Sequence, residues 1–183
     1  MTVSSFRETL ILWYNRCMFT HEQKIQWLTF AYNLATRSPD LSTQLGAVIV
    51  NDSGLVVGLG CNEFPKGVKV TTERLVSRPE KYHYIEHAER NAIYNSIVAG
   101  ESTLGATMFC PWFACADCAR GIIQSGIKKV IGHQKMFDNT PERWKESIDN
   151  AFVMFDEAGV ETELIVHDFG LEPRLFNEQM WTP

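Results

Sequence analysis

Long apolar runs are missing from this chain of 183 residues, and nothing in it approaches the ~18 consecutive apolar residues that a membrane-spanning helix needs. A helical membrane protein is not expected. Basic charge is also short: 17 Lys and Arg against 22 Asp and Glu leave a net charge of −5. That is the wrong sign for affinity built on neutralising many phosphates, so a long nucleic acid is not an expected partner. A small anion needs only one or two local donors and stays open. The apolar patch Leu10–Tyr14 is preceded by Glu8 and followed by no small-residue cleavage site, so it does not read as a signal peptide. The five cysteines, Cys17, Cys61, Cys110, Cys115 and Cys118, are therefore expected in a reducing cytoplasm, where closely spaced thiols bind metal or do chemistry. Repeats, low-complexity tracts and linkers are absent too. One domain is expected over 18–169, with an N-terminal extension at 1–17 and a C-terminal tail at 170–183.

Residues 21–37 carry Ile25, Trp27, Leu28, Ala31, Leu34 and Ala35 at close to helical spacing behind Thr20, a suitable N-cap. Two apolar, β-branched runs around Asn51-Asp52-Ser53-Gly54 predict antiparallel strands at Leu45–Val50 and Leu55–Gly60. A long polar stretch from Cys61 to Tyr84 reads as a functional loop. The pattern then alternates: helix His87–Val98, strand Ala106–Cys110, helix Cys115–Gln124, strand Lys128–His133, helix Pro141–Ala158, strand Glu161–Val166. Thr140 is the expected cap of the last helix, with Pro141 at its first position and Gly159 closing it. This alternation predicts an α/β architecture with a central sheet between helical layers.

The chemistry concentrates in two short stretches. Cys115-Ala116-Asp117-Cys118 opens a helix after a strand, where the helix dipole favours thiolates. His87, at the start of the preceding helix, completes a Cys₂His set, which leaves the fourth position of a tetrahedral zinc open for water, as in catalytic rather than structural zinc sites. Glu89 follows His87 by two residues and can move protons at that water. H-x-E followed by C-x-x-C is a known signature of zinc-dependent nucleobase deaminases. Cys110 is an alternative fourth ligand but is expected to pack in the core.

The stretches "TQLGAVIV", "GCNEFPKG", "KYHYIEHAERNAI" and "CADCARGIIQSGIKKVI" resemble, in order and spacing, the deoxycytidylate (dCMP) deaminase family over about residues 21–166. The resemblance implies a cytidine-deaminase-like three-layer α/β/α sandwich with a central mixed sheet. It implies hydrolysis of dCMP to dUMP and ammonia, with one catalytic zinc held by His87, Cys115 and Cys118. Glu89 would shuttle protons while zinc-bound hydroxide attacks C4. Asn62 would hydrogen-bond the sugar or base, the backbone at Ala88 and near Phe113 would read the base edge, and the Phe113 ring would stack on it. A homo-oligomer, often a hexamer, with dCTP and dTTP as effectors is also implied. The sequence departs from the family at Ala114, where proline is usual, and at Cys61 and Glu63, the latter placing a carboxylate in a loop associated with nucleotide binding.

Of the cations near these loops, Lys66, Arg74, Arg37 and Arg78, the first and second are the expected phosphate contacts. His83 and Trp144 are expected to pack rather than to act, and the apolar residues of "FRETLILWY" and "LEPRLFNEQMWTP" suggest docking to a second subunit. Competing readings are the same chemistry on dCTP, a modified deoxycytidylate, cytidine or a base such as guanine, and a non-catalytic zinc and nucleotide-binding module.

Overall fold

The structure, a computed structural model, describes residues 19–183. The expected partner-docking segment "FRETLILWY" lies outside the described residues, as does Cys17.

Helix α1 (His21–Ala35) starts as expected: Thr20 accepts from the Gln23 N–H while the Gln23 side chain accepts from the Thr20 N–H, a reciprocal cap. Strands β1 (Gly46–Val50) and β2 (Val56–Cys61) form the expected antiparallel hairpin. Asn51 builds its turn by accepting from the Ser53 and Leu55 N–H groups, and Gly54 supplies a φ of +79°. The long polar stretch contains two short helices, α2 (Thr72–Val76) and α3 (Lys81–Tyr84). Then come α4 (Ala88–Ala99), β3 (Thr107–Phe109), α5 (Ala116–Gln124), β4 (Lys129–His133) and α6 (Gln134–Asp138). The chain closes with α7 (Glu142–Ala158), β5 (Glu161–Ile165), β6 (Arg174–Phe176) and β7 (Gln179–Trp181).

The five main strands run in the order β2-β1-β3-β4-β5, with β1 antiparallel to both neighbours and β3, β4 and β5 parallel. Strand β1 is buried on both faces, so its residues alternate between two cores. Val48 and Val50 pack with Leu28, Ala31 and Leu34 of α1, while Ala47 and Ile49 face Ala88, Ala92 and Ile93 of α4 and Ile122 of α5. Among the described residues α1 covers one face, and α4, α5 and α7 cover the other. The result is the expected three-layer α/β/α sandwich.

Two expectations need correction. Thr140 does not cap α7: the cap position falls one residue later, on extended Pro141, because the Thr140 hydroxyl instead accepts from the Trp112 indole N–H at 3.0 Å. Gly159 does close the helix, at φ +67°. The second correction concerns the tail. Its large aromatic residues are not left exposed, because β6 and β7 form a hairpin whose Phe176 and Trp181 pack on the main core, while Met180 stays exposed. Phe176 meets Trp112 edge-on, and Trp181 stacks on Tyr32.

Gly60 fixes how closely α4 approaches the sheet, since a Cβ there would collide with the Ala88 carbonyl and the Ala92 N–H of the backbone. Backbone cannot rotate away as a side-chain tip can. Gly60→Ala is therefore expected to cost about 3 kcal/mol, the upper range for overpacking, read as a lower urea midpoint. An unchanged midpoint would show that α4 shifts freely.

Candidate active site and metal centre

Asn62 follows the C-terminal end of β2 and Cys110 that of β3, on the same edge of the sheet, where α4 and α5 begin side by side. His87 and Cys115 occupy the cap positions of these helices, both in extended backbone conformation. Neither side chain caps its helix. Both turn into the site, and borrowed groups satisfy the orphaned N–H donors: Asn62 Oδ1 accepts from Ala88 N–H at 3.0 Å and Ser147 Oγ from Ala116 N–H at 3.1 Å. Cys118 lies one helical turn past Cys115.

His87 Nδ1 lies 3.5 Å from the Sγ atoms of both Cys115 and Cys118, and the three ligand atoms lie within 4.8 Å of one another. A tetrahedral zinc with bonds of about 2.0 Å to nitrogen and 2.3 Å to sulfur separates N from S by about 3.5 Å. The observed spacing fits zinc. The donor set fits as well, two thiolates and an imidazole with no hard oxygen, which selects zinc over magnesium or calcium. The hydrogen bond from Cys118 pulls the Cys115 thiol down to about 4, helped by His87. Burial pushes Cys118 well up. Burial disfavours charge on His87, yet its contacts with Cys115 leave its affinity for a proton raised. Arg90 approaches Cys118 Sγ at 3.8 Å and is itself held by Glu86. Cys110 stands outside the cluster; it is buried and donates to the Trp112 carbonyl at 3.0 Å.

Glu89 lines the same pocket, is 3% exposed, and its Oε2 is buried with no hydrogen-bond partner. Burial raises its affinity for a proton. A buried, half-satisfied carboxylate is costly unless something uses it.

The pocket is lined by His87, Glu89, Cys115, Asn62 and Phe113, as the sequence suggested, together with residues it did not assign there. Asn62 is anchored, donating through Nδ2 to the Thr43 carbonyl at 2.9 Å while holding Ala88. The Ala88 N–H is thus engaged by Asn62. The Phe113 ring lies flat on Phe152 at 4.2 Å, with one face committed to the core. Lys66 and Arg74 are not brought to the pocket. Lys66 is exposed, and Arg74 donates to the Lys69 carbonyl and covers the Tyr84 ring at 3.8 Å. Among the described residues the cations that line the pocket are Arg78, Lys81 and Arg143. Glu63 faces away from it, into a separate groove along β2 with Arg37 and Glu101. Trp144, expected in a packing role, also borders the site, edge-on to the His87 ring at 5.7 Å. His83 is exposed and takes no part.

Asp40 and Lys81 were not legible as a pair. The Asp40 carboxylate accepts from Lys81 Nζ at 2.6 Å and from the backbone N–H of Ser42 and Thr43, with both side chains buried. This pair ties the 38–43 loop to α3 and so shapes the pocket mouth. Its signal in sequence is weak, because the two residues lie 41 positions apart.

A three-layer sandwich carrying a His-Cys-Cys centre and a buried free carboxylate at the ends of its strands defines a zinc-dependent hydrolytic enzyme class. Residues 21–134 match the family described as the cytidine and deoxycytidylate deaminase zinc-binding region, and the chain belongs to that family. It is 36% identical over 141 residues to the deoxycytidylate deaminase of Mus musculus and 35% identical to that of Homo sapiens, covering 73% of this chain and 74% of each relative. Among solved structures, the dCMP deaminase of cyanophage S-TIM5 in complex with dCMP and dUMP aligns with a TM-score of 0.65 at 26% identity, over 81% of this chain and 100% of that one.

Proposed function

We infer that the protein deaminates dCMP hydrolytically to dUMP and ammonia. The observation that carries the reaction type is the unpartnered Oε2 of Glu89 in the pocket of the His87-Cys115-Cys118 cluster. A binding module that kept zinc for structure alone would gain nothing from burying that charge. The relatives named for deoxycytidylate support the substrate.

His87, Cys115 and Cys118 would hold the zinc ion, which when bound supplies Lewis acidity that activates water for attack on an amidine carbon. Glu89 accepts a proton from the attacking water and delivers it to ring atom N3, then passes the second proton to the departing amine. Asn62 positions the start of α4 and, with its remaining amide proton, can face the sugar. Trp144, Tyr82 and Ile148 wall the pocket and exclude bulk water from the proton path.

We also propose a homo-oligomer in a cytoplasmic, reducing compartment. Exposed Tyr94, Ile97 and Val98 on α4 support an apolar subunit contact. Among the described residues no helix is long and apolar enough to cross a membrane. Regulation by dCTP or dTTP gains no support from the β2 groove, where Glu63 and Glu101 outnumber Arg37.

Ammonia release from dCMP, dCTP, deoxycytidine, cytidine and cytosine tests the reading. Turnover of dCMP at least about 100-fold more efficient than deoxycytidine is expected from charge-assisted phosphate contacts. Preference for any other member of the panel overturns it.

A further inference from the structure

The three cations of the pocket are not equivalent. Lys81 is paired inside the protein with Asp40, both being buried, so the pair offers a ligand no net charge. Arg78 is shared between Ser42 Oγ at 2.9 Å and the Glu178 carboxylate at 2.6 Å, whose side chain is 58% exposed and exchanges readily with solvent. Among the described residues Arg143 is held only by a neutral group, Asn177 Oδ1 at 2.6 Å. The pocket therefore presents one uncompensated guanidinium and one that is loosely compensated.

Both arginines are oriented by the same two residues, Asn177 and Glu178, which form the tight turn between β6 and β7. That turn is pinned to the pocket loop: Glu178 N–H donates to the Ser42 carbonyl, Asn177 N–H to Thr43 Oγ1, and Gln44 N–H to the Leu175 carbonyl. The backbone is left-handed at both positions, with φ of +53° and +67°. Such a two-residue hairpin turn favours Asn followed by Gly, yet a glutamate stands where glycine would be free of strain. Its side chain reaches Arg78. The hairpin is also joined to the metal centre by a chain of rings, His87 to Trp144 at 5.7 Å, Trp144 to Trp112 at 5.8 Å and Trp112 to Phe176 at 5.0 Å; His87, Trp144 and Trp112 line the pocket, and the hairpin packs behind them and reaches it through Arg78 and Arg143. The hairpin lies beyond the residues that match the family.

We propose that Arg78 and Arg143 bind the 5′-phosphate of the nucleotide, and that the C-terminal hairpin turn positions them, with Glu178 as a counter-ion that the phosphate displaces. This rests on the reading of the substrate as a nucleoside monophosphate. The phosphate replaces a solvent-exposed carboxylate on Arg78 and gives Arg143 its first ionic partner. Once displaced, Glu178 remains at the outer side of the subsite, where its charge opposes further phosphate groups.

The test uses the zinc-loaded full chain and reads binding separately from turnover, by calorimetry with dUMP and deoxyuridine and by steady-state kinetics with dCMP and deoxycytidine. Arg143→Ala, on the exposed first turn of α7, is expected to weaken dUMP binding and raise KM for dCMP by about tenfold or more, with deoxyuridine binding and kcat within about twofold. Arg143→Lys recovers part of the loss. Asn177→Ala gives a smaller shift of the same kind, and Glu178→Gln tightens dUMP binding by about two- to fivefold. Equal losses on nucleotide and nucleoside would mark a merely structural role and overturn the proposal, as would unchanged dUMP affinity in Arg143→Ala or no dUMP binding by the unaltered protein. Arginine-dependent dUMP binding without dCMP turnover would leave the subsite standing and overturn the reaction assigned above.

Discussion

Replacing Glu89 by Gln is expected to lower kcat by about 10³-fold or more, within the range that positioned general acid–base groups contribute, while zinc stays at one ion per chain. Glutamine keeps the shape and removes only the ability to carry a proton. The same substitution should raise stability. The Glu89 carboxyl is buried and its proton affinity is raised by that burial, so the folded protein holds a proton there more tightly than the unfolded chain does. Its contribution is favourable only at pH values below the ordinary carboxyl range and is lost as pH rises through the raised value. At neutral pH the charge works against folding. The metal-free Glu89→Gln protein should therefore melt a few degrees above the metal-free parent at pH 7.5, about the shift that 1 kcal/mol produces in a domain of this size, and the gap should narrow toward pH 5. Thermal melts at the two pH values check this; a variant that melts lower at pH 7.5 would mean that the carboxylate has a stabilising partner.

Cys118→Ala is expected to abolish measurable activity together with the zinc content. The loss in zinc affinity should exceed the 10–100-fold typical of removing a partner that merely orients a ligand, because a bond to the metal itself disappears. Alanine fits the fully buried site, so the fold should survive. The melting temperature of the variant should then match that of the chelated parent, since both lack the stabilisation of about 4 kcal/mol that a ligand at 1,000 times its Kd provides. Metal analysis and paired melts with and without chelator decide the matter. Retention of one tightly bound zinc in Cys118→Ala would show that the ligand set is wrong.

Local signals in the sequence reported local structure well. The Thr20 cap, the apolar, β-branched run at Gly46–Val50, the Asn51 turn and the closing Gly159 each act within a few residues, and each was legible. The metal ligands were legible because two helix starts carry all three. What could not be read depends on which distant segments meet. Lys66 and Arg74 sit close in sequence to Asn62, yet their loop turns away, whereas Arg143 arrives from a helix some eighty residues further along. The C-terminal hairpin was hidden because its turn is Asn-Glu and not Asn-Gly. The Thr140 cap was misplaced because the Trp112 indole competes for its hydroxyl, a long-range contact with no local trace.

The two borrowed caps have a consequence for the order in which the centre is built. His87 is seated through Asn62 and Cys115 through Ser147, so the backbone that presents the ligands is hung from β2 on one side and from α7 on the other. A newly made chain has produced all three ligands once residue 118 is complete, but Ser147 has yet to be added. Until α7 docks, the start of α5 is uncapped and the cage is loose. Selective metal capture is thereby expected late, timed by the closing of the helical layer rather than by the appearance of the ligands themselves.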